Sequence, residues 1–357
     1  MSPYPIAAAR ADRLRRGINL SHWFSQIYWE PGYTPAHFDT YLLPADFALI
    51  RDMGFDHVRL PINCEPILAA ATPDGQLPAD YLTRIQSQIH GLHAHGLAVI
   101  VDIHPEDAFK KALAHSEEAV AVFIGFWGKF ASALSHFDPE STFFEVLNEP
   151  CLHHAARWNR IQHAAVAAIR AVAPRHTIII SGDQWSQLPE LLKVDPPADR
   201  NLIANFHLYD PSAFTHQGAG WASPWARHIK ELAYPADAAN AQALSLALND
   251  VDARAQLSEY IALNWNADAY HRFIQPAVSW ARAHGLCLTC NEFGVYKKFS
   301  LRASRLAWVR DVSSALTANG IGWTMWDYAG DFAVVLKNEH GVREPDRELV
   351  TALGLHS

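Results

Sequence analysis

Residues 142–150 read TFFEVLNEP and residues 286–294 read LCLTCNEFG. The mostly apolar runs within them, 142–148 (TFFEVLN) and 286–292 (LCLTCNE), lead into a polar pair, Asn148–Glu149 in one and Asn291–Glu292 in the other. A run that is apolar at successive positions belongs to a strand buried on both faces, as in a parallel sheet covered by helices. Working outward, comparable runs lie near 16–20 (RGINL), 55–61 (FDHVRLP), 97–104 (LAVIVDIH), 176–181 (HTIIIS), 202–208 (LIANFHL) and 321–326 (IGWTMW). Amphipathic stretches near 79–95, 117–136, 155–173, 257–284 and 303–319 separate them, and glycines such as Gly96 follow the periodic pattern as helix stops. Alternation of this kind predicts a parallel sheet with helices outside, and eight such strands predict an α/β fold, the (β/α)8 TIM barrel. No internal repeat or charge block interrupts it, so residues 1–357 are read as a single domain. One connection is long. Residues 211–256, which include FTHQGAGWASPW (214–225), form a β6–α6 insertion on the face where barrels carry their sites. It is expected to shape the cleft, as an irregular wall, as helices packed on the rim, or as both.

Composition narrows the function. Half of the 357 residues are hydrophobic, enough for a large core, and 29 basic against 37 acidic residues give a net charge of −8. No cationic excess is available for phosphates, so nucleic acid is not an expected partner. No run of about 18 apolar residues is present, so no membrane span is expected. In MSPYPIAAARADRLRRG the apolar stretch precedes the arginines, the reverse of a secretory leader. The compartment stays open: intracellular, or secreted or periplasmic if a leader has been removed. The chain is taken as a monomer. Cys287 and Cys290 have C-x-x-C spacing but lie within a strand-like run, with no second such pair. They are read with Cys64 and Cys151 as ordinary thiols. Twelve Trp and eleven Tyr suit a sugar site, because pyranose C–H faces stack on aromatic rings, although most Trp are core by default.

The C-terminal ends of barrel strands point into the active-site mouth. Those ends carry Arg59, His104, Asn148–Glu149, His207–Tyr209, Asn291–Glu292 and Trp326. Two carboxylates, Glu149 and Glu292, follow the fourth and seventh strands. Glycoside hydrolysis needs such a pair, one to protonate the leaving oxygen and one to attack the anomeric carbon or activate water. Glu145, inside the fourth run, reads as a structural carboxylate of the barrel interior. Trp185 directly follows a strand end and is the first choice for an outer sugar contact. Trp23, Tyr28, Trp29, Trp221, Trp225, His216 and Gln217 are further candidates.

Together these motifs resemble glycoside hydrolase family 5, the cellulase family of clan A. The similarity runs from RRGINLSHWF (15–24) to GWTMWDYAGDF (322–332), and Asn-Glu-Pro (148–150), His-x-Tyr (207–209) and Glu-Phe-Gly (292–294) carry it. The resemblance implies a single (β/α)8 glycoside hydrolase catalytic domain and a retaining double displacement. Glu149 would be the general acid/base, its pKa raised by partial burial and by the charge of Glu292, which would be the nucleophile. Arg59 would keep Glu292 ionised and Tyr209 would orient it. Asn148 would bind the sugar 2-hydroxyl, His104 and His207 would line the central subsite, and Trp326 would form the floor under the −1 sugar. The strand-three motif VDIHPED and the long sixth loop depart from compact members and leave the substrate open. The leading expectation is an endo-β-1,4-glucanase. An exo-β-1,3-glucanase, a β-mannanase and a non-catalytic sugar-binding barrel are the alternatives. No His-x-His follows the first strand and no ligand cluster is evident, so neither metal nor cofactor is expected.

Overall fold

The computed structural model describes residues 4–72 and 74–356. Eight parallel strands close into a barrel in chain order: β1 (Arg16–Asn19), β2 (His57–Ile62), β3 (Ala98–Ile103), β4 (Thr142–Glu145), β5 (Thr177–Ser181), β6 (Leu202–Leu208), β7 (Cys287–Phe293) and β8 (Gly322–Met325). Each pairs with the next, and β8 closes on β1 through Ile18 opposite Met325. The expected TIM barrel is thus the observed fold.

Side-chain alternation divides the strands into two environments. Val99, Val101 and Ile103 of β3 join the large core between barrel and helices. Ile100, on the opposite face, joins Leu14, Ala98, Phe143, Ile179 and Ile203 in a small apolar plug inside the barrel. Beyond this plug the interior is polar, with Asn19, Arg59, Asp102, Glu145, Asn205 and Asn291 all buried. In β7 the two-residue period is broken. Its pairing with β6 steps from Phe206 opposite Cys290 to His207 opposite Glu292, so Asn291 is an extra residue. This bulge lets consecutive residues, Asn291 and Glu292, both turn inward.

Helices Ala79–Ala94, Glu117–Leu134, Ala155–Val172 and Arg302–Ala318 lie where the periodicity places them. The stretch 257–284 does not form one helix. It divides among Val251–Leu263, Ala267–Phe273 and Gln275–His284. Asn264 takes a left-handed conformation (φ 47°), Asn266 caps the next helix by accepting from the Ala269 N–H, and Pro276 lies at the start of the third. Apolar residues continue through these breaks, which hides them from a periodicity reading. The 211–256 insertion is both irregular and helical. Residues 216–236 are largely irregular, while Asp237 and Asp250 cap the helices that start at Ala238 and Val251. A helix at Pro44–Asp52 and a hairpin of Val335–Lys337 with Arg343–Pro345 were not evident from the periodicity. β5 is followed by two four-residue helical turns instead of a long helix. The four cysteines are free; Cys290 is buried and Cys287 partly so. Among the described residues no helix is long and apolar enough to cross a membrane.

Candidate active site

The site is organised around Arg59, which projects from β2 into the barrel and is fully buried. All five of its N–H donors are used. Nε donates to Glu145 Oε2 (2.9 Å), Nη1 to Asn19 Oδ1 (3.0 Å) and Glu292 Oε1 (2.6 Å), and Nη2 to Glu145 Oε1 (2.8 Å) and Asn148 Oδ1 (2.9 Å). Asp102 Oδ2 also lies 3.0 Å from Nη2. Glu145 accepts further from Asn291 Nδ2 (2.6 Å) and Asn205 Nδ2 (3.3 Å), so its oxygens are committed to the barrel interior, away from the mouth. Burial pushes the Asp102 carboxyl up to about 7 against the opposing charge of Arg59.

Asp102 and Asn148 also fix the imidazole of His104. Its Nδ1 lies 2.9 Å from Asp102 Oδ2 and its Nε2 3.0 Å from Asn148 Nδ2. Burial drives the His104 pKa well below its ordinary value, so the ring is neutral. Asn148 Oδ1 faces a donor-only guanidinium, so its amide nitrogen must face His104. One Nδ2–H then bonds His104 and the other is left for a ligand. The His104 ring stacks on Trp326, with centroids 5.7 Å apart and planes at 21°. Trp326 also packs in an apolar cluster with Ala219, Tyr296 and Phe332. A Cβ on Gly294 would lie 2.3 Å from the Trp326 carbonyl oxygen, so the glycine of NEFG permits that close approach.

Glu149 and Glu292 face each other at the mouth. One oxygen of each and His207 Nδ1 all lie within 4.8 Å of one another. Glu149 follows β4 with φ 45°, a left-handed conformation uncommon outside glycine that costs about 1–2 kcal/mol. Its Oε1 is 2.9 Å from His207 Nδ1. Glu292 Oε1 is held by Arg59, and Oε2 accepts from the Tyr209 hydroxyl at 2.9 Å. Burial lifts both carboxyl groups above the ordinary glutamate range. What opposes burial differs between them. Glu292 has a guanidinium and a hydroxyl in direct contact, whereas Glu149 touches only an imidazole that burial has pushed down to about 4 and therefore neutralised. Burial, more than the neighbouring Glu292 charge, is what raises Glu149. Burial and the adjacent Glu292 hold the Tyr209 phenol far above its ordinary pKa, so it remains a donor.

Glu149, His207 and Glu292 are also a potential metal-ligand trio that separated sequence positions did not disclose. A divalent ion there would sit beside the buried Arg59 charge and would compete with Arg59 and Tyr209 for both oxygens of Glu292.

The remaining candidates separate by exposure. Trp185 is 43% exposed, its ring edge-on to His153 at 5.6 Å. Trp221 is 65% exposed and is held nearly perpendicular to His216 and to Tyr296. Tyr28 and Trp29 are exposed. Trp23 is core instead: it is fully buried and its indole N–H donates to the Phe38 carbonyl. Gln217 is likewise structural, bridging Phe214 and Leu232. Sequence reasoning missed Asn19, Asp102 and Asn205. Their signal is present as single polar residues inside GINL, VIVDI and LIANF.

A polar barrel mouth with two facing carboxyl groups, a neutral histidine pair and an indole floor is the arrangement of a glycoside hydrolase. The chain belongs to the cellulase family, glycosyl hydrolase family 5, whose family model matches residues 29–331. Endoglucanase C of Acetivibrio thermocellus is 27% identical over 346 residues, covering 95% of this chain and 97% of that protein. Cellodextrinase A of Ruminococcus flavefaciens is 26% identical over 317 residues, with 86% and 83% covered. Among solved structures, the endoglucanase Cel5A of Thermotoga maritima shares the fold with a TM-score of 0.77 at 24% identity, covering 99% of this chain and all of that one.

Proposed function

We propose that this chain is an endo-β-1,4-glucanase acting as a monomer, with Glu292 as nucleophile and Glu149 as general acid/base. The observation that carries this reading is the carboxyl pair within 4.8 Å with unequal partners. Retaining enzymes place their carboxyl groups about 5–5.5 Å apart, whereas inverting ones need about 6.5–9.5 Å to admit a water. Glu292, paired with Arg59, supplies the charged oxygen that attacks the anomeric carbon from below the ring. Oε2, whose partner is a neutral hydroxyl, is the freer of its two oxygens. Glu149, with no cation in contact, keeps its proton and delivers it to the glycosidic oxygen as the C1–O bond breaks. The ionised Glu149 then takes a proton from water, which attacks C1 and releases Glu292. The free Nδ2–H of Asn148 is directed to the 2-hydroxyl of the −1 sugar, which stacks on Trp326 between His104 and His207. Trp185 extends the site for the next sugar.

The linkage and the endo mode draw support from the relatives named as endoglucanases. A second reading, cleavage of short oligosaccharides, is favoured by Trp221 standing out from the loop on the rim and by the likeness to a cellodextrinase. Chromatography of products over time on carboxymethylcellulose, cello-oligosaccharides, β-1,3-glucan and mannan tests both. Mixed oligosaccharides released early from carboxymethylcellulose are expected. Cleavage confined to short cello-oligosaccharides would transfer the assignment to the second reading, and preference for β-1,3-glucan or mannan would refute both. Glu292→Gln should abolish turnover with the fold intact.

A further inference from the structure

The Glu149 side chain has one hydrogen-bond partner among the described residues, His207 Nδ1 at 2.9 Å. Its aim is therefore set mainly by the backbone that carries it. On one side that backbone is fixed within the barrel. The Asn148 N–H donates to the Ile103 carbonyl at 2.8 Å, and the Asn148 side chain joins Arg59 to His104. On the other side, residues 150–154 leave the barrel and lead into the helix Ala155–Val172. Glu149 and His153 both take left-handed conformations, with φ 45° and 52°. Non-glycine residues persist in such conformations only where their surroundings over-determine them. The exit of β5 supplies that restraint. Leu152 and His154 donate their backbone N–H groups to Asp183, one to each carboxylate oxygen and each at 2.7 Å. The Trp185 N–H donates to the Pro150 carbonyl at 2.9 Å. Asp183 is 1% exposed. The next turn of chain braces it: a Cβ on Gly182 would lie 2.4 Å from the Glu190 carbonyl carbon, and Gln184 Nε2 donates to Glu190 Oε1 at 3.0 Å.

We propose that Asp183 is a positioning residue for the acid/base: its carboxylate clamps residues 150–154 and so keeps Glu149 aimed at the glycosidic oxygen. This rests on the assignment of Glu149 as acid/base and Glu292 as nucleophile. Asp183 takes no part in bond making and acts through the backbone that carries Glu149. Glu292 lies outside the clamp, since β7 carries it and Arg59 and Tyr209 hold its two oxygens. Release of the clamp therefore misdirects proton transfer and leaves nucleophilic attack in place. A carboxamide does not replace the carboxylate here. In Asp183→Asn one acceptor oxygen becomes an amino group, a donor facing a backbone donor. Asp183→Ala removes both acceptors.

The test compares kcat/KM of wild type, Asp183→Asn and Asp183→Ala on two aryl cellobiosides. Phenyl β-cellobioside needs a proton on its leaving group, whereas 2,4-dinitrophenyl β-cellobioside does not. Both place an aryl ring beyond the scissile bond, so a disturbance of Trp185 alone falls on the two alike. For each, kcat/KM reads the steps up to the glycosyl-enzyme. A Glu292 oxygen bonds to C1 and the C1–O bond breaks; the departing oxygen takes the Glu149 proton in the phenyl substrate and leaves as dinitrophenolate in the other. Misplacement of a reacting group by about 1 Å costs on the order of 100-fold, so the phenyl substrate should slow about 100-fold in Asp183→Ala and about tenfold in Asp183→Asn. The dinitrophenyl substrate should stay within about threefold in both. The ratio of the two values on one preparation cancels any loss of folded protein. Equal falls on the two substrates, or a fall on neither, would overturn the proposal, as would failure of both variants to fold. Glu149→Ala, run alongside, separates this from failure of the acid assignment. Equal falls in Glu149→Ala remove Glu149 from the acid role, and with it this proposal. A selective fall there that Asp183→Ala does not share overturns the clamp alone.

Discussion

Arg59→Lys keeps the charge at the centre of the site and removes the geometry. Arginine uses five donors on Glu145, Asn19, Glu292 and Asn148. Lysine has three, so five minus three leaves at least two of these buried charge-assisted bonds unmade. At about 1–3 kcal/mol for each such bond lost in the barrel interior, the expected loss of stability is about 2–6 kcal/mol. The single ammonium also cannot reach both Glu145 and Glu292 with the planar fork that sets their separation. If it stays with Glu145, the Glu292 carboxylate loses its 2.6 Å contact and its fixed orientation. Misplacement of a reacting group by about 1 Å costs on the order of 100-fold in rate. Urea unfolding measures the first quantity, and kcat/KM on a soluble cello-oligosaccharide measures the second. A variant within about 1 kcal/mol of wild type that keeps its kcat/KM would refute the claim that the guanidinium fork organises the site.

Glu149→Ala should lower kcat/KM on cello-oligosaccharides by about 10²- to 10⁴-fold, and far less on an aryl cellobioside whose leaving group needs no proton. Equal losses on the two substrates would remove Glu149 from the acid role. Burial holds His176 at about 4, and it stacks on Phe144. Unfolded histidine titrates near 6.5, so between these values the unfolded chain binds the extra proton and stability falls as pH falls. His176→Phe should therefore gain stability relative to wild type on going from pH 7 to pH 5, by about 2 kcal/mol, and urea midpoints at the two pH values check this. A gain independent of pH would show that His176 is not held neutral. A strong chelator should leave hydrolysis unchanged, because Arg59 and Tyr209 already occupy both oxygens of Glu292. Activity lost to chelator and restored by a divalent ion would reverse the reading of the Glu149–His207–Glu292 trio.

Strand positions were legible because a strand buried on both faces must be apolar along its length, whatever its partners. All eight expected runs overlap the eight observed strands, within three residues at either end. The breaks at Asn264 and Asn266 were not legible, because capping is a local choice that leaves apolar spacing intact. Trp23 shows the same limit from the other side. A tryptophan on a site-facing loop reads as a sugar contact until packing shows its N–H spent on Phe38.

By itself, the sequence determined that the chain closes an eight-stranded barrel and that His104, Asn148, Glu149, His207, Tyr209, Glu292 and Trp326 lie at the ends of its strands, with Arg59 on the second; the structure sets Arg59 three residues before that strand's end. Those facts follow from local patterning, whose periods are properties of one segment at a time. Only the tertiary structure decided which of these groups touch and what protonation each prefers. In β7, a strict two-residue period would send Asn291 and Glu292 to opposite faces, and the bulge against β6 brings both inside. The roles of the two glutamates separate for a related reason. Their flanking sequences are alike, but barrel closure sets Arg59 against one and a neutral His207 against the other, and a carboxyl group's proton affinity is set by its neighbours in space.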